Sequence, residues 1–423
     1  MLTAITGINW GDEGKGRMVD LLCEEYDVVV RYQGGNNAGH TVVNPLGKFV
    51  LNLLPSGILR PDVVNVMGNG MVIDLAHLHK ERARLTERGV KITPENLKIS
   101  QRASICLPIH PMLDILEEER LGGGAYGSTR RGIAPVYGDK YMKKALRIGD
   151  LLELESHRKQ VEDLVAFKNL TIEGIYKAPP VIFEEIWKDL EFYAKEFAPY
   201  ICDVGLFLSK QAEEGRNIMF EAQLGALRDI DFGIYPFTSS SNTIAAYAPI
   251  GAGVPGCQLN NSLGITKAYS TCVGAGPFVT EWEGEEAETL RQAGGEFGAA
   301  TGRPRRVGAF DVVASRYGCR MQGATQLAIT MLDVLSYRDE IPVCIAYELD
   351  GKQTTDFPYG EALNRAKPVL TTLKGWKKDI SGVRHFEDLP KEAQEYVQFI
   401  EKQLGCPIKY ISVGPEREAC IRM

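Results

Sequence analysis

Short apolar runs rich in β-branched residues alternate along this chain with longer segments in which apolar residues recur every three or four positions. The runs occupy residues 2–8, 27–31, 63–67, 218–222, 307–313 and 341–349. Strands that alternate with helical segments are typical of a parallel sheet covered by helices on both faces. The pattern therefore predicts an α/β fold with a large, mostly parallel central sheet flanked by helices.

One helical segment can be delimited from its residue types alone. Asp74 is a typical N-cap residue, Leu75, Leu78 and Leu85 share one helix face, and Gly89 is a typical stop signal. We therefore expect an amphipathic helix between Asp74 and Gly89.

Residues 151–215 form a strongly charged segment with a mostly helical pattern, which Pro179 and Pro180 interrupt. This pattern predicts a helical layer outside the sheet. No repeat or low-complexity tract divides the rest of the chain. We therefore expect a single α/β domain over residues 1–423, with a helical insertion around 151–215.

The first apolar run leads into a glycine-rich turn that reads GINWGDEGKG. Such a turn brings backbone N–H groups close to an anion, so it predicts a phosphate site and a P-loop-NTPase-like fold, with Lys15 as a mobile charge. The spacing differs from the usual P-loop, because six residues separate Gly7 from Gly14 and Gly16 replaces the hydroxyl residue that binds magnesium. Asp12 is then the candidate magnesium ligand or general base.

A second turn of small residues, RYQGGNNAGHT at 31–41, follows the second apolar run. Loops at the carboxyl ends of neighbouring parallel strands face the same crevice, so Asp12 and His40 are expected to meet across a substrate. A lone glycine-rich turn or a lone histidine is often structural, but two such turns in one α/β chain favour a shared site.

The composition limits the class of protein. A chain of 423 residues with 44% hydrophobic residues can form a large core, and its net charge of −7 argues against nucleic-acid or anionic-membrane partners. No leader segment or apolar run of membrane-spanning length is found. The nine cysteines form no C-x-x-C pair and suit a reducing compartment. These features predict a cytoplasmic protein.

The two turns together carry a specific resemblance. WGDEGKG followed by RYQGGNNAGHT is similar to the adenylosuccinate synthetase family, purine-pathway ligases that join IMP to aspartate with GTP. The resemblance continues through GSTRRGIAP at 127–135, LRIGDL at 146–151, FEAQLGALRDIDFGIYPF at 220–237, TSSSNT at 238–243, GEFGAATGRPRR at 295–306 and TMLDVL at 330–335. It thus covers nearly the whole chain.

The resemblance implies a reaction, its cofactor and an assembly. GTP phosphorylates the 6-oxygen of IMP, and the amine of L-aspartate then displaces phosphate to form adenylosuccinate, the first committed step from IMP to AMP. One Mg²⁺ per subunit and a homodimer are implied. Asp12 is expected to be the base that removes the N1 proton, His40 to hydrogen-bond the transferring phosphoryl group, and Gln223 to bind the hypoxanthine. Asp12 and the Gly39 carbonyl are the implied magnesium ligands.

The resemblance also assigns the remaining contacts, residue by residue. The implied GTP-binding residues are Gly11, Glu13, Gly14, Lys15, Gly16, Gly39, His40, Thr41, Asp333, Ser412, Gly414 and Pro415. The implied IMP-binding residues are Asn37, Ser128, Thr129, Arg131, Lys143, Gln223, Ser239 and Arg303. The implied aspartate-binding residues are Thr301, Arg303 and Arg305.

Three positions depart from the family pattern. Met331 stands where the family commonly has a lysine over the guanine, and Ser239 stands where it has threonine. Lys143 stands where an arginine reaches the IMP phosphate of the neighbouring subunit, and lysine lacks the planar fork of that arginine. These departures leave open a related ligase that acts on dGMP. In that relative the catalytic aspartate is replaced, so the Asp12 of this chain argues against the dGMP alternative. A GTP-binding switch protein is a further alternative, but the chain has no Walker-type loop or N-K-x-D motif.

Overall fold

This computed structural model describes residues 1–44, 47–298, 302 and 304–423. In chain order the strands are β1 Leu2–Gly7, β2 Val28–Arg31, β3 His40–Asn44, β4 Gly47–Leu51, β5 Val64–Met67, β6 Val72–Ile73, β7 Leu97–Ser100, β8 Ser104–Ile105, β9 Ile201–Cys202, β10 Ile218–Glu221, β11 Asn261–Lys267, β12 Ser270–Cys272, β13 Arg306–Gly308, β14 Phe310–Asp311, β15 Gln326–Thr330, β16 Glu340–Leu349, β17 Lys352–Thr354, β18 Lys367–Lys374, β19 Ile408–Ser412 and β20 Cys420–Arg422.

Helices connect most of these strands. They are α1 Lys15–Leu22, α2 Leu75–Glu87, α3 Ile109–Leu121, α4 Ile133–Tyr141, α5 Arg158–Gly174, α6 Phe183–Phe197, α7 Val204–Glu213, α8 Ala248–Ala252, α9 Gly284–Gly294, α10 Val312–Gln322, α11 Glu361–Arg365 and α12 Lys391–Leu404. Helices of the 3₁₀ type occupy Cys23–Glu25, Ser56–Leu59, Gly122–Gly124, Ile148–His157, Ala198–Tyr200, Ala226–Arg228, Ala245–Tyr247, Asp333–Tyr337 and Phe386–Asp388. None of the helices in these ranges has both the length and the apolar character of a membrane span.

The central sheet has ten strands in the order β20-β19-β15-β11-β1-β10-β2-β5-β7-β9, and its pairs are parallel except for β19 with β20. The middle strands β2 and β10 are buried at every position. Strands buried on both faces are expected where helices cover a parallel sheet. The predicted fold class, a large and mostly parallel sheet flanked by helices, is confirmed.

Two of the predicted strands behave differently from the other four. Residues 307–313 do not form one strand, because β13 and β14 are two short strands and α10 begins at Val312. The side chain of Asp311 caps α10 by accepting a hydrogen bond from the backbone N–H of Ala314 at 2.9 Å. Residues 341–349 lie in β16, which belongs to a smaller sheet with β14, β17 and β18. Apolar periodicity alone does not specify which strands pair.

The helix expected after Asp74 is α2, and Asp74 accepts a hydrogen bond from the backbone N–H of His77 at 2.9 Å. Leu75, Leu78 and Leu85 are buried on it, as the pattern predicts. The segment 151–215 contains α5, α6 and α7, and the two prolines lie between α5 and α6. Its helical character therefore follows from the same pattern.

The order of the three central strands positions the candidate site. β10 lies between β1 and β2 and is parallel to both. Their last residues are Gly7, Glu221 and Arg31, so the loops that follow leave from the same edge of the sheet. This edge, at the carboxyl ends of parallel strands, is where open α/β sheets bind ligands.

Candidate active site

Two cavities open beside each other at this edge. The first, here called the phosphate-loop cavity, has a volume of about 310 Å³, and its lining includes Asp12, Gly14, Lys15, Gly16, Gly39, His40, Thr41, Gln223, Arg305 and Met331. The second, here called the hydroxyl cavity, has a volume of about 630 Å³, and its lining includes Ser128, Thr129 and Ser239. Asp12, Asn37 and Leu224 line both. The structure thus places Asp12 at the boundary between the two cavities.

Three non-glycine residues around these cavities have left-handed backbone conformations: Asp12 (φ 60°), Leu224 (φ 61°) and Met331 (φ 60°). Such conformations cost on the order of 1 kcal/mol or more and persist only where the surrounding structure imposes them. Their grouping around one cavity indicates that its shape is held against local backbone preference.

Glu13 organises the glycine-rich turn from within. Its Oε1 accepts hydrogen bonds from the backbone N–H groups of Asn9 at 3.1 Å and Gly11 at 2.8 Å, and its Oε2 lies 2.6 Å from Nζ of Lys15. Both Glu13 and Lys15 are buried. Lys15 is therefore paired within its own turn and is not the mobile charge that the sequence predicted, because a carboxylate two residues earlier compensates its burial.

The glycine that replaces the usual P-loop hydroxyl residue has a steric explanation. A Cβ atom at Gly16 would lie 2.7 Å from Cβ of His40 and 3.1 Å from Oγ of Ser56. Any side chain at this position would push His40 away from the turn. The close approach of Gly16 and His40 brings the two glycine-rich turns together, as the sequence predicted.

His40 is held by a buried carboxylate. Its Nδ1 lies 2.5 Å from Oε1 of Glu221, and Ser56 donates to both oxygens of Glu221, from its hydroxyl at 2.6 Å and its backbone N–H at 2.8 Å. Burial acts to raise the pKa of Glu221, but its interactions with His40, Arg31 and Ser56 prevail and hold that pKa below its usual value. Glu221 is thus an ionised partner that fixes the orientation of the imidazole ring.

Gln223 is oriented by contacts on both sides of its amide. Its Oε1 accepts a hydrogen bond from Arg31 at 2.6 Å, and its Nε2 donates to Oδ1 of Asn37 at 2.8 Å. A Cβ atom at Gly34 would lie 1.7 Å from that Nε2, so only glycine leaves room for the amide. Gln223 is buried beside His40 in the phosphate-loop cavity.

A second charged network, built around Arg305 and Glu296, contacts Asp12. Nε of Arg305 lies 3.0 Å from Oδ2 of Asp12, an ion-pair distance without an aligned hydrogen bond, and NH1 of Arg305 donates to Glu296 at 2.7 Å. Glu296 also accepts from Lys267 at 2.7 Å and from Tyr269 at 2.5 Å. Burial acts to lower the pKa of Arg305, but Asp12 and Glu296 raise it overall, so this guanidinium stays charged.

The residues expected at the guanine lie near one another behind α1. Arg17 donates hydrogen bonds to the hydroxyl of Ser412 and to the backbone carbonyls of Glu416 and Ala419. Gly414 and Pro415 lie in the same loop after β19. Burial raises the pKa of Asp333, and the charge of Arg17 opposes that effect. Arg17 therefore helps to tie this loop to the helix after the glycine-rich turn, and the ion pair between Arg417 of the loop and Asp20 of α1 at 2.7 Å adds a second link.

The structure does not gather every expected residue. Lys143 is exposed just after α4, with φ 63°, and in the described parts of the chain it lines neither cavity. Arg131 is exposed before α4. Thr301 and Arg303 lie outside the described residues.

This chain is similar to known proteins over nearly its whole length. The model of the adenylosuccinate synthetase family matches residues 4–421. The chain belongs to the adenylosuccinate synthetase family. The adenylosuccinate synthetase of Parafrankia sp. strain EAN1pec is 45% identical over 98% of this chain and 96% of that protein. That of Caldanaerobacter subterraneus subsp. tengcongensis is 44% identical over 99% of this chain and 98% of that protein.

Solved structures extend the similarity to the fold. The fully ligated adenylosuccinate synthetase of Plasmodium falciparum has a TM-score of 0.94 and 34% identity, covering 100% of this chain and 99% of that one. The succinoaminodeoxyadenylate synthetase of cyanophage S-2L, solved with dGMP and dATP, has a TM-score of 0.61 and 18% identity, covering 100% and 95%, and shares the fold. The predicted family and its ligase activity on IMP, GTP and L-aspartate are confirmed, and the dGMP alternative is not favoured.

Sequence reasoning missed three residues that organise the site in this family member. Glu221 orients His40, Arg31 orients Gln223, and Arg17 holds Ser412. Glu221 and Arg31 are charged residues at the ends of fully buried strands. A charge at such a position needs a partner, and that was the available signal. Arg17 gave no comparable signal, because an arginine on a short helix is usually exposed.

Proposed function

We propose that the two cavities are the two halves of one active site, with GTP phosphates in the phosphate-loop cavity and IMP in the hydroxyl cavity. The observation that carries this proposal is that Asp12, Asn37 and Leu224 line both cavities. Transfer of a phosphoryl group needs both substrates within a few ångströms of each other, and a shared boundary provides that proximity.

The first step of the proposed reaction transfers the γ-phosphoryl group of GTP to IMP. Asp12 accepts the N1 proton of IMP, the 6-oxygen attacks the γ-phosphorus of GTP, and the bond from that phosphorus to GDP breaks. His40, held by Glu221, donates a hydrogen bond to the transferring phosphoryl oxygens. Gln223 lines the phosphate-loop cavity and donates to the boundary residue Asn37, so it binds the edge of the hypoxanthine that lies at that boundary. The amine of L-aspartate then attacks C6, the C6–O bond breaks to release phosphate, and the amine loses one proton.

The donor set near Asp12 fits a magnesium ion. The described residues contain no cluster of three or more His, Cys, Asp or Glu side chains that could hold a metal. Mg²⁺ is commonly bound by one or two protein ligands together with substrate phosphates, so the Asp12 carboxylate and the Gly39 carbonyl beside the phosphate-loop cavity are suitable. When bound, the ion would neutralise charge on the phosphate oxygens.

The hydroxyl cavity supplies suitable donors for the IMP phosphate. Ser128, Thr129 and Ser239 line it together with Asn37. We place Lys143 at the corresponding cavity of a partner subunit in a homodimer, since it is exposed and, among the described residues, lines neither cavity of its own chain. Its ammonium would add a point charge to the phosphate site without the bidentate geometry of an arginine.

The same proposal treats residues 1–423 as one domain with a helical insertion around 151–215. Lys168 and Thr171 of α5 line the hydroxyl cavity, so the insertion contributes to the wall of the active site. Because the insertion helps to enclose the substrate, we expect it to stay packed against the sheet as part of the same domain.

The decisive assay is cleavage of GTP by the purified protein in the presence and absence of IMP and L-aspartate. We expect phosphate release only when all three are present, in equal amounts with adenylosuccinate. GTP cleavage that is independent of IMP would contradict the proposed arrangement of the two cavities.

We expect Asp333→Asn to weaken the preference for GTP over ITP and ATP. A carboxylate accepts from both guanine N1–H and N2–H₂, whereas an amide presents a donor toward one of them. Met331, beside the phosphate-loop cavity, can pack on the base but adds no hydrogen bond. Competition between nucleotides measures the preference, and the exposed Asp339→Asn serves as the matched control. An unchanged preference for GTP in Asp333→Asn would place guanine recognition elsewhere.

We expect Arg303→Leu to raise the KM for L-aspartate by roughly one to two orders of magnitude, because each charge-assisted contact to a carboxylate contributes about 1.5 to 3 kcal/mol. We propose that Thr301 and Arg305 share this role. The guanidinium of Arg305 lies beside the Asp12 carboxylate and therefore inside the proposed active site. The KM for GTP should change little. Arg320→Leu, an exposed arginine on α10, is the control, and an unchanged aspartate KM in the folded Arg303→Leu variant would remove this residue from the site.

A further inference from the structure

Helix α3 carries a buried polar stripe that faces the segment 126–139. His110, Asp114 and Glu118 are spaced four residues apart, so they lie on one helix face. Their exposed fractions are 1%, 7% and 7%. Each makes a hydrogen bond to the segment that contains the proposed phosphate residues Ser128 and Thr129, and the stripe therefore acts as a template for that segment.

Glu118 holds the first part of the segment. Its Oε1 accepts a hydrogen bond from the backbone N–H of Tyr126 at 3.1 Å, and its Oε2 accepts from those of Gly127 and Ser128 at 3.0 Å each. Successive N–H groups that converge in this way form an anion-binding concavity. Here the anion is the protein's own carboxylate, which fixes the backbone up to Ser128.

The other two stripe residues hold the end of the segment. Oδ2 of Asp114 accepts from the backbone N–H of Gly132 at 2.9 Å, and a Cβ atom at Gly132 would lie 2.5 Å from the backbone nitrogen of Pro111. His110 accepts from the N–H of Leu107 at Nδ1, so its Nε2–H donates to Asp139 of α4 at 3.0 Å. The segment is thus fixed at both ends, with Thr129 between them.

The amide of Thr129 is treated differently from its neighbours. In the described parts of the chain, the amides of residues 126–128 donate to Glu118 and that of Arg130 donates to Oγ of Ser128 at 3.1 Å, whereas Thr129 N–H donates to no protein acceptor. Thr129 lines the hydroxyl cavity, where its amide and hydroxyl can serve a ligand. Within the described segment 126–132, the amides of Thr129 and Arg131 have no protein acceptor, and of these two residues Thr129 is the one that lines the hydroxyl cavity.

A carboxylate beside a phosphate site is unfavourable on electrostatic grounds alone. Asp114 and Glu118 both line the hydroxyl cavity, and like charges at close range repel. Their position is understandable if the order they impose on the loop outweighs that repulsion. We propose that Glu118 is a positioning residue for the IMP phosphate, acting through the backbone of residues 126–128. This inference rests on the proposed placement of IMP in the hydroxyl cavity.

The test compares Glu118→Gln with Glu119→Gln, which removes the same charge from the next residue, exposed on the same helix. Glutamine offers one acceptor oxygen and turns an NH₂ group toward an N–H of the loop. Equilibrium binding is measured for IMP and for inosine, which lacks the phosphate. We expect Glu118→Gln to raise the Kd of IMP about tenfold, the effect of roughly one charge-assisted contact, while the Kd of inosine changes less than about twofold. Glu119→Gln should resemble the wild type.

Other outcomes would overturn the inference. Equal weakening of IMP and inosine would indicate a general structural role, and tighter binding of IMP would indicate that Glu118 competes with the phosphate for the same amides. Unchanged IMP binding would remove Glu118 from the phosphate site. If Glu118→Gln does not fold, Glu118→Asp, which keeps the charge but shortens the side chain, should show the same selective loss for IMP. A wild-type protein that does not bind IMP would refute the proposed function itself.

Discussion

Asp12→Asn is expected to leave the protein folded and to lower kcat by about 10²- to 10⁴-fold, the range for loss of a general base. Asparagine removes the proton acceptor and weakens the proposed magnesium site in one change. It is also among the residues that best tolerate a left-handed backbone, so the φ of 60° at this position should be retained. The variant therefore separates chemistry from folding.

The measurement is aspartate- and IMP-dependent GTP cleavage under saturating substrates, with the thermal unfolding midpoint as a check on folding. Asp356→Asn replaces an exposed aspartate far along the chain and should retain wild-type activity. If folded Asp12→Asn kept more than roughly a tenth of the wild-type kcat, Asp12 would not be the base. In that case the boundary position of Asp12 would need another explanation.

His40→Asn is expected to lower kcat by about 10²-fold or more, because one donor that stabilises charge on the transferring group is commonly worth that factor. Glu221→Gln should have a smaller effect in the same direction. It keeps a hydrogen-bond acceptor near Nδ1 of His40 but removes the buried negative charge that lies 2.5 Å from it. The graded series tests whether Glu221 acts through His40.

Steady-state kcat and the KM values for all three substrates distinguish this role from a structural one. A loss of kcat with little change in KM for GTP is expected, since the interaction is used mainly in the transition state. His385→Asn, an exposed histidine near the C-terminus, is the matched control. Additive losses in the double variant His40→Asn/Glu221→Gln would show that Glu221 does not act through His40.

Part of the site could be predicted because its signals are local. Glycines at sharp turns, a strand before each turn, and the residue types Asp12, Lys15 and His40 are visible without knowledge of the fold. The position of Gly16 against His40 confirms that these two turns share one place, as parallel strand ends require. The sequence did not reveal the ion pair between Lys15 and Glu13, because the same turn residues are compatible with a lysine that has no partner in the protein.

The sequence by itself determined the α/β class, the two glycine-rich turns and the family, since these depend on local patterns and on motifs in a fixed order. Only the tertiary structure decided that β10 lies between β1 and β2. That order, set by burial between segments distant in sequence, brings Glu221 to His40 and Gln223 to Arg31. The tertiary structure also decided that α3 holds the loop of Ser128. The Glu118 carboxylate can fix this loop only because the fold brings the loop amides within hydrogen-bond distance of it.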